Sequence, residues 1–228
     1  MPTRSIRRAA PTVVSAPRRA ALRPLPRSFF DRDPRQVAPE LLGKLLVRRE
    51  DRRLLAGRLV EVEAYCGLED PAAHSYNGQT PRNAVLFGPA GHAYVYFIYG
   101  THFCANISCQ GEGEPGCILL RALEPVLGVE QMAAARGIEL DEDAPPGKLR
   151  MISTGPGRLC AALGITRPRD NGKDLCSPRS DLFVADDGWR PEKMLATPRV
   201  GINPKNPALH EPLRYIIAGN EFVSAPRR

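Results

Sequence analysis

Two glutamates two positions apart, Glu61 and Glu63 in LVEVEAY, are the sharpest chemical feature of this chain. On an extended strand they share a face, and two acids on one face are most often just a solvated surface. Their position adds something. The strand runs out at Tyr65 into a long polar stretch holding His74, and a carboxylate at a strand end beside a loop is a common place for a general base. Tyr94, Tyr96 and Tyr99 follow His92. Alternation puts Tyr94 and Tyr96 on one face and Tyr99 on the other, or in the turn with Gly100. Half-buried packing explains aromatics on a strand and suffices for Tyr94. Aromatic faces also stack on nucleobases, at ~1–3 kcal/mol per base, and a flat pocket for an everted base needs this residue type. Asn106 in CANIS and Arg121 in ILLRALEP are lone polar residues in apolar runs. A buried Asn must find partners, either structural ones or a ligand edge. An Arg there nearly demands a carboxylate or phosphate, with Glu63 the economical guess. His74 alone is more often structural than chemical.

The elements that must hold these side chains follow from periodicity and punctuation. Asp33-Pro34 offers an N-cap and a first-turn Pro, so a helix is expected through Ala38–Leu42, stopping near Gly43. Residues 44–49 and 54–65 read as strands joined by a charged turn. Residues 68–91 read as a long loop, and long ordered loops in compact domains are usually functional. Residues 92–100, 102–109 and 116–125 are three more strand-like runs, and 127–136 fits a short helix. The acidic, Pro-rich stretch 137–153 reads as loop. Gly155-Pro156-Gly157 opens a helix whose amide-rich start could face a phosphate. Residues 166–197 read as irregular with a strand near Leu182–Ala185, and 212–219 as the last strand. The predicted fold is a single α+β domain, a mostly antiparallel curved sheet flanked by short helices and long loops.

Composition sets limits. At 228 residues, 43% hydrophobic and 25% charged, the chain has the balance of one soluble globular domain. No stretch approaches the ~18 apolar residues of a membrane span. The 23 prolines argue for loops and turns over a helical bundle. The net charge of +7 is local: residues 1–27 hold seven Arg and no acid, which leaves 25 basic against 25 acidic residues in the rest. That leader lacks the apolar core of a secretion signal and reads as a disordered basic tail able to touch phosphates. Six cysteines without a CxxC pair read as small buried hydrophobes in a reducing compartment. The cytoplasm, with association to the nucleoid, is the expected location; an organelle transit role for residues 1–27 is the alternative.

Taken together and in order, VEVEAYCGLEDPAAHS (60–75), QTPRN (79–83), AYVYFIYG (93–100), CANIS (104–108), LLRALEP (119–125), STGPGRLC (153–160) and PRVGI (198–202) resemble the 3-methyladenine (alkyladenine) DNA glycosylases. The resemblance spans roughly residues 29–222 and implies a catalytic domain at 28–228 behind the tail at 1–27. It implies Glu63 as the base that deprotonates the attacking water and Arg121 as the residue holding that water and a nearby phosphate. Tyr65, His74 and Tyr96 would sandwich the flipped base, with the main chain near Ala72 and His74 on its edge. Tyr99 would wedge into the DNA, and Asn106 would clash with the amino group of guanine. Arg82, Thr101 and Arg158 are candidate phosphate contacts, and the acidic loop at 137–150 is expected to face away from DNA. Glu61 has no catalytic counterpart. The expected substrates are alkylated or deaminated purines in double-stranded DNA, processed by a monomer without metal, cofactor or membrane. No Lys stands at a matched position, so no Schiff-base step is expected. Two rivals remain at this level: a hydrolase of free purine nucleosides, and a non-enzymatic binder of distorted DNA or RNA.

Overall fold

The long strand β2 (Arg53–Tyr65) organises the molecule. In the computed structural model, which describes residues 22–50, 53–141 and 145–224, β2 pairs along one edge with β5 (Gly116–Leu127). Its other edge is shared by β1 (Leu45–Glu50) at one end and β8 (Arg214–Ile217) at the other. The hairpin of β3 (Ala93–Ile98) and β4 (His102–Cys109) extends the sheet beyond β5. On the far side, β6 (Leu182–Ala185) adds to β1, and β7 (Met194–Thr197) adds to β8. All eight strands lie in one sheet and every pairing is antiparallel.

The helices are short: α1 (Arg27–Phe30), α2 (Pro34–Leu41), α3 (Val129–Ala135), α4 (Pro146–Ser153), α5 (Pro156–Ala162) and α6 (Arg167–Asp170). In α2 the Asp33 side chain accepts the Arg35 amide at 2.7 Å and Pro34 fills the first position, the start expected from the sequence. The helix buries Val37, Ala38 and Leu41 against the sheet.

Strand alternation decides where the site can lie. On β3, β4 and β5, Val95, Ala105, Ile107, Ile118, Leu120 and Ala122 point into the main core. Tyr94, Tyr96, Cys104, Cys117 and Leu119, one residue out of step with those, form a separate cluster on the opposite face. That second face is where the polar residues singled out above emerge.

Three expectations are corrected. The stretch 137–153 is not all loop: Pro145-Pro146 starts α4, and Leu149 and Ile152, three apart, turn into the core. The irregular stretch 166–197 contains α6 and β7; β7 is a half-exposed edge strand that pairs only with β8, so it lacks a strong alternation signal. Residues 22–27 are not tail: Leu22 is buried, the Leu25 amide donates to the Val184 carbonyl, and Arg27 pairs with Asp174 at 2.8 Å. Residues 1–21 lie outside the described residues. Cys104, Cys109, Cys117 and Cys160 are buried free thiols, while Cys66 and Cys176 are half-buried. Among the described residues no helix is long and apolar enough to cross a membrane.

Candidate active site

A cavity of about 460 Å³ opens on the Tyr94 face of the sheet. Its walls come from five places: the end of β2, the loop after it, the β3–β4–β5 strands, the start of α5 and the 200–202 segment. Tyr65, Ala72, His74, Tyr96 and Asn106 line it, with Tyr99 and Arg158 at its mouth and Arg121 further along β5. One side of the mouth depends on a close approach: a Cβ on Gly157 would lie 3.0 Å from the His102 side chain, so a residue without one lets α5 pack there.

Glu63 lies behind this wall. It is fully buried and meets the cavity through its partners. Its Oε2 accepts from the Tyr65 hydroxyl at 3.0 Å, its Oε1 accepts from the Val200 amide at 2.8 Å, and Arg121 Nη1 stands 3.3 Å from Oε1. Burial pushes the Glu63 carboxyl above its ordinary value, and the pull of Arg121 and the two hydrogen bonds does not fully offset it.

Glu61 is also buried, which overturns the solvated-face reading. It accepts from Arg121 Nε at 2.7 Å, Arg214 Nε at 2.8 Å, and the Ser224 amide and hydroxyl at 2.7 and 2.8 Å. Burial pushes its carboxyl up, but two guanidinium groups and the Ser224 amide outweigh that and hold it low. The expected Arg121–Glu63 pair is present, and the same guanidinium is anchored more closely on Glu61, which the sequence did not suggest. The β2–β5 register shifts on both sides of Glu61, so Arg121 falls opposite the Glu61–Val62 step and reaches both acids.

The aromatic residues are held at their edges. His74 Nδ1 and the Tyr94 hydroxyl are 3.0 Å apart, so Tyr94 does more than pack. The His74 and Tyr96 rings meet edge-on with centroids 4.6 Å apart, and burial with the nearby Arg82 lowers the His74 pKa, favouring neutral imidazole. The exposed Arg82 guanidinium stands 5.6 Å over the Tyr96 ring. Asn106 is buried; its Nδ2 donates to the Tyr94 carbonyl at 3.1 Å, which fixes the amide at the cavity floor. The Ala72 amide donates to Asp70 at 3.0 Å. Tyr99 is 85% exposed, in the turn between β3 and β4, and Thr101 is exposed beside it without lining the cavity.

Several participants were not singled out from the sequence. Arg214 in PLRYIIAG carries the same signal as Arg121, a lone cation in an apolar strand. Arg199 and Val200 stand within a motif already quoted, PRVGI, yet spacing gave no hint of their contact with Tyr65 and Glu63.

Comparison with known proteins identifies the family. The family model described as Methylpurine-DNA glycosylase matches residues 28–221. The chain is similar to a protein named "Putative 3-methyladenine DNA glycosylase" from Koribacter versatilis, 60% identical over 91% of this chain and 96% of that one. Proteins of the same name are 47% identical in Burkholderia lata, over 89% of this chain and 91% of the relative, and 46% identical in Methanoculleus marisnigri, over 88% and 98%. The chain belongs to the methylpurine-DNA glycosylase family, a family of hydrolases.

Proposed function

We propose that this protein excises damaged purines from double-stranded DNA, the opening step of base excision repair, through a water activated by Glu63. The substrates are 3-methyladenine, 7-methylguanine, hypoxanthine and etheno-adenine. The observation that carries this reading is a fully buried carboxylate, held by the Tyr65 hydroxyl, the Val200 amide and the Arg121 guanidinium, directly behind an aromatic-walled cavity. A carboxyl raised above its ordinary value is a stronger base when ionised than one at the surface.

In this reading the everted purine stacks between Tyr65 and the His74–Tyr96 pair, whose 4.6 Å spacing leaves no room for a base between those two rings. Such eversion costs a few kcal/mol, least for damaged or mispaired bases. Glu63 takes the proton of the water as the water oxygen bonds to the sugar carbon, and the electrons of the broken N-glycosidic bond leave with the base. Alkylated purines carry a positive charge and leave readily; the neutral lesions depart more slowly unless protonated. Arg121 holds the water and the adjacent phosphate. Asn106, its amide fixed at the cavity floor by the Tyr94 carbonyl, would clash with the amino group of guanine. The main chain near Ala72 and His74 meets the base edge, with the Ala72 amide already serving Asp70. Tyr99 fills the vacated stack, and Arg82, Thr101 and Arg158 contact phosphates. No lysine is among the described residues lining the cavity, consistent with hydrolysis that leaves an abasic site.

A hydrolase of free nucleosides would share the pocket but has no use for a large aromatic 85% exposed at its mouth. Single-turnover assays on duplexes carrying each lesion, beside the matching free nucleosides, separate the two. Release from duplexes, with free nucleosides left intact, is expected. Turnover of nucleosides at rates matching or exceeding those on duplexes would overturn the DNA reading.

A further inference from the structure

We infer that Arg199, paired with Asp70, is a positioning residue for the hydrolytic step, setting the donors on both oxygens of Glu63; this rests on the function proposed above. Arg199 follows β7, and its side chain is fully buried. Nη2 donates to Asp70 Oδ1 at 2.9 Å while Nη1 donates to Oδ2 and, at 3.0 Å, to the Ala64 carbonyl. Asp70 in turn accepts the amides of Cys66 at 3.1 Å and Ala72 at 3.0 Å. One ion pair thus ties the end of β2, the first turn of the following loop and the 198–202 segment together.

Two consequences meet at Glu63. The Arg199 guanidinium lies 4.6 Å from the centroid of the Tyr65 ring, and the hydroxyl of that ring donates to Glu63 Oε2 at 3.0 Å. The next residue, Val200, donates its amide to Glu63 Oε1 at 2.8 Å. Displacing Arg199 therefore moves a donor on each carboxylate oxygen. As scaffolding the pair is a poor choice, since apolar side chains of similar volume often stabilise at least as well as a buried ion pair. Arg199 Nε is also buried without a hydrogen-bond partner, a further stability cost. What an apolar replacement could not do is fix the planar geometry at Tyr65 and place a positive charge behind it.

The charge also bears on Glu63 directly. The groups facing Glu63 are Glu61 and Tyr65 from β2, Arg121 from β5, Cys104 from β4, Arg214 opposite it on β8, and Arg199. Among these Arg199 is a cation that favours the ionised carboxylate, so its loss moves the Glu63 titration to higher pH.

The test uses a hypoxanthine duplex, with single-turnover rate against pH and duplex affinity measured for the full chain. Arg199→Met is expected to bind the duplex as the parent does, to react about 10- to 100-fold more slowly, and to show its acid limb at higher pH. Asp70→Asn, which loosens the guanidinium but keeps its charge, with the Ala64 carbonyl at 3.0 Å and Glu211 at 3.8 Å still beside it, is expected to slow the reaction with the limb in place. Folded variants with the parent rate and limb would overturn the inference. Loss of folding in both would do so too, because the pair would then be scaffolding. Parent protein and Glu63→Gln run alongside: an inactive parent rejects the proposed function, whereas an active parent with indifferent Arg199 and Asp70 variants rejects only this inference.

Discussion

Glu61 and Glu63 are two residues apart on one strand and touch the same arginine, yet their carboxyls shift in opposite directions. Glu61 is held low by Arg121 and Arg214 against its burial. Its contribution to stability is present above its ordinary value of 4.5 and is lost as pH falls through its lower folded value. Glu63 is raised by burial, so its contribution is present below 4.5 and is lost as pH rises through its higher folded value. Glu61→Gln strips countercharge from two buried arginines and is expected to cost about 3–5 kcal/mol and to flatten the acid side of the Tm–pH curve. Glu63→Gln removes a carboxylate that burial disfavours and is expected to leave Tm at neutral pH unchanged or higher. Thermal melts of both variants from pH 4 to 8 check this; equal losses would mean the two acids are interchangeable structural ions. The sequence did not show this division of labour. The partners of Glu61, Arg214 and Ser224, lie 153 and 163 positions away, and only the β2–β8 pairing brings them in.

Among the elements, the β3–β4 hairpin carries the clearest conflict between backbone and side chain. The Ile98 carbonyl accepts the Thr101 amide across the turn, and the two residues between, Tyr99 and Gly100, have φ of 54° and 66°. Gly takes that conformation freely, whereas Tyr pays roughly 1–2 kcal/mol there. A strained backbone under an outward-pointing aromatic fits a side chain kept for contact with a partner. Tyr99→Asn, with a residue that tolerates the left-handed region, is expected to match or exceed the parent in Tm. Its affinity for a duplex with an abasic analogue is expected to fall by about 1–3 kcal/mol, or roughly 5- to 150-fold in Kd. An unchanged Kd, measured by fluorescence anisotropy, would remove Tyr99 from the DNA contact. The hairpin was legible because its strands alternate and the Tyr–Gly step breaks them; α2 was legible from its Asp-Pro start. The helix α4 was hidden by acidic and Pro-rich surroundings, and the edge strand β7 by its weak burial pattern.

At the scale of the whole molecule, the site is assembled from segments spread over residues 61–224, all brought to one face of an eight-stranded sheet. Individual residues with a strong local signature, such as Tyr96 and Arg121, could be singled out in the sequence, because a polar or aromatic residue in an apolar strand has few roles. Arg214 carries the same signature as Arg121, whereas Arg199, just after an edge strand, has no local signature and finds its partner 129 positions away. Nor does bulk charge mark a DNA-binding body: outside residues 1–27 the chain is formally neutral, and the function rests on how a few groups are placed. Activation by Glu63 of the water that releases a damaged purine is decided by single-turnover release of hypoxanthine from a duplex by the parent and by Glu63→Gln. Release by the parent is expected, with a variant that binds the same duplex with similar affinity but releases no base above background. Release by Glu63→Gln at the parent rate would contradict it.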